Sequence, residues 1–181
     1  MRRVTAPIDT ARTPPQRVLT VGAGASPLVG ALLASGHQVL AVDIAQAALD
    51  TLAAQLDGQL DGQLDRRLSL LAADVRSLRI DEPVDVWHDR AVFHFLVDPV
   101  DQASYVRAAA DAVTIGGHLV IATFAPGGPT TCSGLPVARH DASSLRAVFT
   151  PHFELLEAFE ADHVTPWQSS QRFTHAVLRR T

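Results

Sequence analysis

Short apolar runs alternate with helical patterns along the chain from about residue 17. The runs that predict strands are 18–21, 39–42, 68–73, 84–87 and 118–124. The segments between them carry helix-start signals, such as Ser26 before Pro27 and Asp98 before Pro99. Alternation of this kind is typical of stacked βαβ units. It predicts an α/β fold with a mainly parallel sheet.

The C-terminal part shows a different pattern. Residues 153–156 and 173–178 are apolar runs with no helical segment between them. Such a pair predicts an antiparallel hairpin that closes the sheet. We therefore expect a doubly wound, mainly parallel seven-stranded sheet with a C-terminal antiparallel hairpin.

Four segments fall outside this regular alternation. The helix that opens at Asp98 is expected to end near Gly116-Gly117, and residues 125–140 contain so many glycines and prolines that they predict an irregular, functional loop. Leu-Asp-Gly-Gln occurs twice over residues 56–63, which predicts a frayed, exposed helical extension without function. Residues 1–16 predict an irregular leader, which leaves 17–181 as a single domain.

Composition and charge exclude several classes of protein. The 181 residues are 47% hydrophobic and 19% charged, which is globular, and no apolar run approaches the roughly 18 residues of a membrane span. A net charge of −4 argues against a nucleic-acid binder. The single cysteine, Cys132, and the lack of a secretory signal favour the cytoplasm. The eight histidines show no H-x-x-x-H spacing, so no metal site is expected.

A glycine turn and an acidic residue form the first candidate site. Gly22, Ala23 and Gly24 follow the first predicted strand, and Asp43 ends the second. Glycines let the backbone approach a ligand, and a carboxylate at this place can accept both hydroxyls of a ribose. The pattern predicts a ligand that contains adenosine. The alternative is that the glycines only shape a tight turn and that Asp43 caps a helix.

A nicotinamide dinucleotide is a poorer match to this turn. Pro27 stands where a dinucleotide site needs a small residue for close packing of helix and strand. The chain also contains no lysine, and so no catalytic Tyr-x-x-x-Lys. An oxidoreductase is therefore disfavoured.

Two further polar groups follow the third and fourth strands. Asp74 ends the third, where a carboxylate commonly reaches the exocyclic amine of adenine; the alternative is a helix cap. Residues 85–96 place charges, imidazoles and aromatic rings at the carboxyl end of a central strand, where open α/β sheets bind ligands. A structural Asp–Arg pair and a core histidine at His94 are the alternatives here.

Several later motifs are more specific than the glycine turn. They are Trp87-His88-Asp89-Arg90, Asp98-Pro99, Tyr105, the segments 116–124 and 132–137, and Thr165-Pro166-Trp167. Together with the earlier features, and in this order, they resemble the class I S-adenosylmethionine-dependent methyltransferases, and within them a bacterial subgroup related to thiopurine, tellurite and thiol methyltransferases. The resemblance covers residues 17–181. The resemblance implies a Rossmann-like methyltransferase fold, S-adenosylmethionine as cofactor, and a small-molecule acceptor that is a thiol, a chalcogenide or an amine.

The resemblance also implies roles for individual residues. The donor contacts it implies come from Gly22, Ala23, Gly24, Asp43, Ile44, Asp74 and Val75. His88 lies beside the transfer pocket, and His88 or Asp89 is the candidate base that an amine or phenol needs, whereas a thiol with a pKa near 8.5 needs little help. Because 88–95 and 125–140 leave central strands, we expect acceptor contacts from Arg90, His94, Cys132 and Arg139; the alternative is an ordinary surface loop.

Two features depart from the family pattern. Thr20 stands two places before the first glycine, where the family usually has an acidic residue that orients the donor's amino group. Relatives also carry an aromatic N-terminal segment that closes over the site, whereas this chain has a sixteen-residue leader. We therefore expect an open site or one completed by a partner subunit, such as a second copy in a homodimer. The alternative function is a methyltransferase-like partner protein that binds donor weakly or not at all.

Overall fold

A computed structural model describes residues 14–24, 26–57, 66–165 and 168–181. Most of the predicted leader and of the Leu-Asp-Gly-Gln repeat, together with Pro166 and Trp167, lies outside these ranges. The elements are β1 (Arg17–Val21), α1 (Pro27–Ala34), β2 (Gln38–Asp43), α2 (Gln46–Leu56), β3 (Leu68–Ala72), β4 (Val84–Arg90), α3 (Pro99–Ala112), β5 (Val113–Phe124), β6 (Thr131–Cys132), β7 (Leu135–Pro136), α4 (Ala142–Phe149), β8 (Phe153–Val164) and β9 (Ser170–Arg180). Short 3₁₀ turns occur at Val75–Ser77 and Phe93–Phe95.

Seven strands form one sheet in the order β3-β2-β1-β4-β5-β9-β8. Strands β1 to β5 are parallel, β9 runs antiparallel to β5, and β8 runs antiparallel to β9. Strands β2 and β3 are added on one side of β1, whereas β4 lies on its other side. The loops that leave β1 and β4 therefore diverge, and a crevice forms between them. The predicted doubly wound, mainly parallel, Rossmann-like sheet with its antiparallel C-terminal pair is confirmed.

Each face of the sheet buries its own apolar cluster. On one face, Trp87, Tyr105 and Phe149 pack among residues of α3 and α4. On the other, Leu33 and Leu49 pack α1 and α2 against the strands. Successive side chains of a strand point to opposite faces, so a strand covered on both sides is apolar throughout. This is why the central strands are visible in the sequence as continuous apolar runs.

The structure corrects the predicted end of the helix that opens at Asp98. Helix α3 ends at Ala112 and β5 begins at Val113, whereas the sequence predicted helix to about Gly116 and strand from His118. The β-branched run 113–115 favours a strand over a helix. Gly117 lies inside β5, where an added Cβ would stand 2.8 Å from the carbonyl oxygen of Asp85. Gly117 therefore allows a close approach of β5 to β4, and the glycine pair does not end the helix.

The loop 125–140 is irregular except for a small hairpin, β6–β7. Its two turn residues, Ser133 and Gly134, have φ of 49° and 80°, the left-handed pair that a two-residue type I′ hairpin requires. Strands β8 and β9 are also longer than the runs 153–156 and 173–178 from which they were predicted. None of the helices in the described ranges is long and apolar enough to cross a membrane.

Candidate functional site

Two cavities open side by side at the carboxyl ends of the parallel strands. The first has a volume of about 580 Å³ and lies beyond β2 and β3. The second has a volume of about 680 Å³ and lies beyond β1, β4, β5 and the β8–β9 pair. Val21, Gly22, Arg90 and Ala91 line both. One extended molecule can therefore occupy the two cavities across this shared wall.

The glycine turn brings backbone to the junction of the cavities. Gly22 has a φ of 59°, and a Cβ added to it would stand 2.3 Å from Cγ2 of Val92. Gly24 has a φ of 42°, and its N–H donates to Oδ2 of Asp43 at 3.1 Å. The other carboxylate oxygen accepts the N–H of Ala45 at 3.0 Å. Asp43 thus fixes the turn to the end of β2.

The residues expected at the donor divide between the cavities. Asp43, Ile44, Asp74 and Val75 line the first, Ala23 and Gly24 line the second, and Gly22 lines both. Ile44 is 75% exposed, although it is a large apolar side chain. Such a side chain beside a cavity offers an apolar surface on which a planar ligand can lie.

Arg76 is a residue of the first cavity that the sequence analysis did not identify. Its Nη2 lies 2.5 Å from Oδ2 of Asp74, and its Nη1 lies 3.1 Å from Oδ2 of Asp101. The guanidinium lowers the pKa of the Asp74 carboxyl, which also caps the 3₁₀ turn by accepting the N–H of Arg76 at 2.9 Å. The spacing Asp74-x-Arg76 is a signal for the local pair, but no local pattern predicts Asp101.

His88 and Thr20 form the polar base of the second cavity. They face each other on neighbouring strands β4 and β1, and the Thr20 hydroxyl lies 3.3 Å from Nδ1 of His88. Burial, aided by the positive charge of Arg90, lowers the pKa of His88 to about 4. The imidazole is therefore neutral at pH 7.

Aromatic and C-terminal residues complete the second cavity. Phe124 and Phe173 are opposite each other on β5 and β9, with ring centroids 4.7 Å apart. Cys132, from the β6–β7 hairpin, lines the same space. His163 and Gln171, a cross-strand pair of β8 and β9, also line it and were not predicted. The predicted hairpin was too short to include them.

Asp89, a candidate base, does not line either cavity. It is fully buried and accepts hydrogen bonds from the N–H groups of Val92 and Phe93 and, at 2.6 Å, from the Tyr105 hydroxyl. Burial raises the pKa of Asp89 to about 6. Because side chains alternate along β4, Asp89 faces the α3 cluster while His88 faces the second cavity. Its visible role is to fix the turn that carries Ala91 and Val92.

Two expected acceptor residues also lie outside the cavities. His94 is buried against the ring of Phe124, at a centroid distance of 4.5 Å, and burial lowers its pKa to about 4. Arg139 is exposed and donates to the carbonyl oxygen of Pro126 at 2.7 Å, so it holds the loop. Of the expected acceptor contacts, Arg90 and Cys132 line the second cavity.

Within the described ranges, no group of three or more metal-ligating side chains could hold a metal ion.

Both the sequence and the fold are similar to those of known methyltransferases. A family model described as thiopurine S-methyltransferase matches residues 4–180. No curated protein matches the sequence.

Solved structures share the architecture at low sequence identity. A SAM-dependent methyltransferase from Methanosarcina mazei is 14% identical, with 93% of each chain covered and a TM-score of 0.76. The 1,6-didemethyltoxoflavin-N1-methyltransferase of Burkholderia thailandensis, with bound 1,6-didemethyltoxoflavin and S-adenosylhomocysteine, is 20% identical over 92% of this chain and 72% of that one, with a TM-score of 0.74. TehB from Haemophilus influenzae is 18% identical over 92% of this chain and 58% of that one, with a TM-score of 0.71. At these identities the likeness is one of fold.

Proposed function

Because this chain belongs to the thiopurine S-methyltransferase family, and is thereby a class I S-adenosylmethionine-dependent methyltransferase, we propose that it methylates a small acidic thiol or chalcogenide. The observation that carries the proposal is the pair of cavities joined at Gly22 and Arg90. Adenosine occupies the first cavity, and the second takes the methionine part of the donor together with the acceptor. Both substrates then meet above the ends of β1 and β4.

The residues of the first cavity suit an adenosine. Asp43 presents a carboxylate for the ribose, and Ile44 presents an exposed apolar surface for the base. The absence of a side chain at Gly22 lets Val92 pack against the glycine turn at the junction of the cavities, since a Cβ there would meet Val92. When bound, S-adenosylmethionine supplies a methyl group on a positively charged sulfur. The protein then has to align a nucleophile with that methyl and exclude water.

The charges of the second cavity favour an anionic acceptor over an amine. Among the described residues that line it there is no carboxylate, while Arg90 contributes a positive charge. A protonated amine would be repelled by Arg90 and would need a base, and His88, with its pKa lowered to about 4, is a weak one. A thiolate or selenolate is already deprotonated and is attracted by Arg90. Phe124 and Phe173 add apolar walls that limit the access of water.

Methyl transfer to matched acceptors tests this assignment. Aryl thiols of graded acidity would be compared with benzylamines carrying the same ring substituents, which are protonated at pH 7, with S-adenosylhomocysteine formation as the readout. We expect turnover of the thiols, with a pH profile that follows the pKa of each acceptor and not that of a group on the protein. Faster turnover of the benzylamines would contradict the acceptor class.

Calorimetry with S-adenosylhomocysteine tests donor binding separately. We expect binding, with NAD as the negative control. Thr20, in place of the family's acidic residue, is the observation behind the alternative of a weak donor binder that serves as a partner protein. If the full chain did not bind S-adenosylhomocysteine, the result would favour the partner protein over the enzyme.

A further inference from the structure

Arg76 joins two carboxylates at the rim of the first cavity. Its Nε and Nη2 contact Asp74, with Nε 3.0 Å from each carboxylate oxygen. Its Nη1 lies 3.2 and 3.1 Å from the two oxygens of Asp101. All three side chains line the cavity. The guanidinium therefore ties the segment that follows β3 to the first turn of α3.

The pairing with Arg76 engages both carboxylate oxygens of Asp74. An ionised carboxylate has about four acceptor sites. Arg76 contacts all four: its backbone N–H and Nε contact Oδ1, and its Nε and Nη2 contact Oδ2. The Nε hydrogen is shared between the two oxygens, so a donor from the cavity can replace one half of this shared bond. The side chain of Asp74 is 30% exposed, so this exchange is open to a ligand.

We infer that Arg76, anchored by Asp101, is a positioning residue that orients Asp74 to accept one hydrogen bond from the amino group of adenine. The inference rests on the proposed function, which puts adenine in this cavity. An amino group at this place donates to the carboxylate oxygen that gives up its half of the shared Nε bond. The carbonyl oxygen of hypoxanthine would instead face a carboxylate and be repelled. Arg76 therefore contributes to the selection of adenine without contacting the reacting methyl.

The anchor explains why an arginine is needed. A planar guanidinium can bind two carboxylates at once through different edges, which a lysine ammonium on a flexible stem does less well. Without Asp101, the Arg76 guanidinium would still pair with Asp74, but the orientation of the guanidinium would no longer be fixed. The ion pair also lowers the pKa of Asp74, so the acceptor stays ionised.

The test compares two nucleosides on four forms of the full chain. Calorimetry would measure the dissociation constants of S-adenosylhomocysteine and S-inosylhomocysteine with the wild type, Arg76→Ala, Asp101→Asn and Arg107→Ala. Arg107 is an exposed arginine of α3 that contacts Ser104 and lines neither cavity, so it is the matched control. Melting curves would show which variants are folded.

The decisive quantity is the ratio of the two constants, which a merely structural loss would leave unchanged. We expect the wild type and Arg107→Ala to prefer the adenine compound by about 30-fold or more. Arg76→Ala should reduce the preference to about threefold, and Asp101→Asn to an intermediate value. Should Arg76→Ala fail to fold, Asp101→Asn carries the test. An unchanged preference in these folded variants would overturn the inference, whereas a wild type that binds neither compound would overturn the proposed function with it.

Discussion

The two cavities differ in how firmly their polar groups are held. In the first, the carboxylates of Asp43 and Asp74 are each fixed by several donors from the protein. In the second, His88 and Thr20 share a single 3.3 Å contact, and the remaining walls include two phenylalanines, the β6–β7 hairpin, the start of α1 and the β8–β9 pair. Fixed donors and acceptors suit recognition of one defined ligand, whereas apolar walls and a loop can adapt to several acceptors. We therefore expect the first cavity, which we propose for adenosine, to be a preorganised donor side, and the second, which we propose for the acceptor, to be an adaptable acceptor side.

The largest effect should follow a change at the junction of the cavities. Gly22→Ala would place a Cβ 2.3 Å from Cγ2 of Val92 in a left-handed conformation. We expect affinity for S-adenosylhomocysteine to fall at least about 100-fold, or about 2.7 kcal/mol. Gly116→Ala is the control, because Gly116 also has a positive φ but no atom lies within 4 Å of the added Cβ. That variant should lose only about 1 kcal/mol of stability and keep the ligand. Similar affinities in both would mean that the ligand does not cross the junction.

A change at Asp43 tests the fixed side alone. Asp43→Ala removes the acceptor proposed for the ribose and the two backbone hydrogen bonds that fix the glycine turn. We expect S-adenosylhomocysteine binding, measured by calorimetry, to weaken by about 1.5 to 3 kcal/mol. A folded variant with unchanged affinity would remove Asp43 from the site.

Acid should destabilise the protein through buried imidazoles before Asp74 of the first cavity loses its charge. Burial lowers the pKa of His88 and His94 to about 4, so the native state binds fewer protons than the unfolded chain between about pH 6.5 and pH 4. Their stabilising contribution is complete above pH 6.5 and is lost as the pH falls. Asp89 acts in the opposite direction, because its pKa is raised to about 6 and the native state takes up its proton first. Asp74, with a lowered pKa, keeps its charge until lower pH.

Together, His88, His94 and Asp89 should contribute a loss of about 2 kcal/mol in the free energy of unfolding between pH 7 and pH 5. Urea denaturation at the two pH values measures the change. His94→Phe removes one titrating group from the aromatic cluster and should reduce the loss by roughly 2 kcal/mol at most. A folded His94→Phe variant that loses as much stability as the wild type would show that this imidazole is not held neutral by burial.

The same contrast separates what the sequence could predict from what it could not. The glycine turn, Asp43 and Asp74 were predicted at the cavities because each follows a predicted strand whose carboxyl end is fixed by the parallel topology. Arg76 was missed because its partner Asp101 is 25 positions away, and a side-chain bridge leaves no periodic signal. His163 and Gln171 were missed because they enter through the antiparallel pairing of β8 and β9. Apolar periodicity indicates that a strand exists but does not give its length or its partner's register.

Side-chain alternation divides the candidate residues within one predicted segment. His88, Asp89 and Arg90 are consecutive, yet Asp89 points into the core while the other two reach the cavities. A one-residue difference decides the face of the sheet, and beyond the end of β4 the 3₁₀ turn buries His94. A run of chemically suitable residues in the sequence therefore contains only candidates. The direction in which each side chain leaves the backbone decides which of them reach a cavity.

The smallest effect on donor binding is expected from two changes on the adaptable side. His88→Ala and Arg139→Ala should each leave S-adenosylhomocysteine affinity within about threefold, which is under 1 kcal/mol. Their effects on turnover of an aryl thiol should differ. His88 lines the second cavity, so its loss should lower turnover by about tenfold, whereas Arg139 only holds the loop through the Pro126 carbonyl and its loss should cost less than about threefold. Equal losses of turnover would show that the loop conformation, and not the cavity wall, limits the reaction. If both variants instead lost the cofactor, the division between a fixed donor side and an adaptable acceptor side would be wrong.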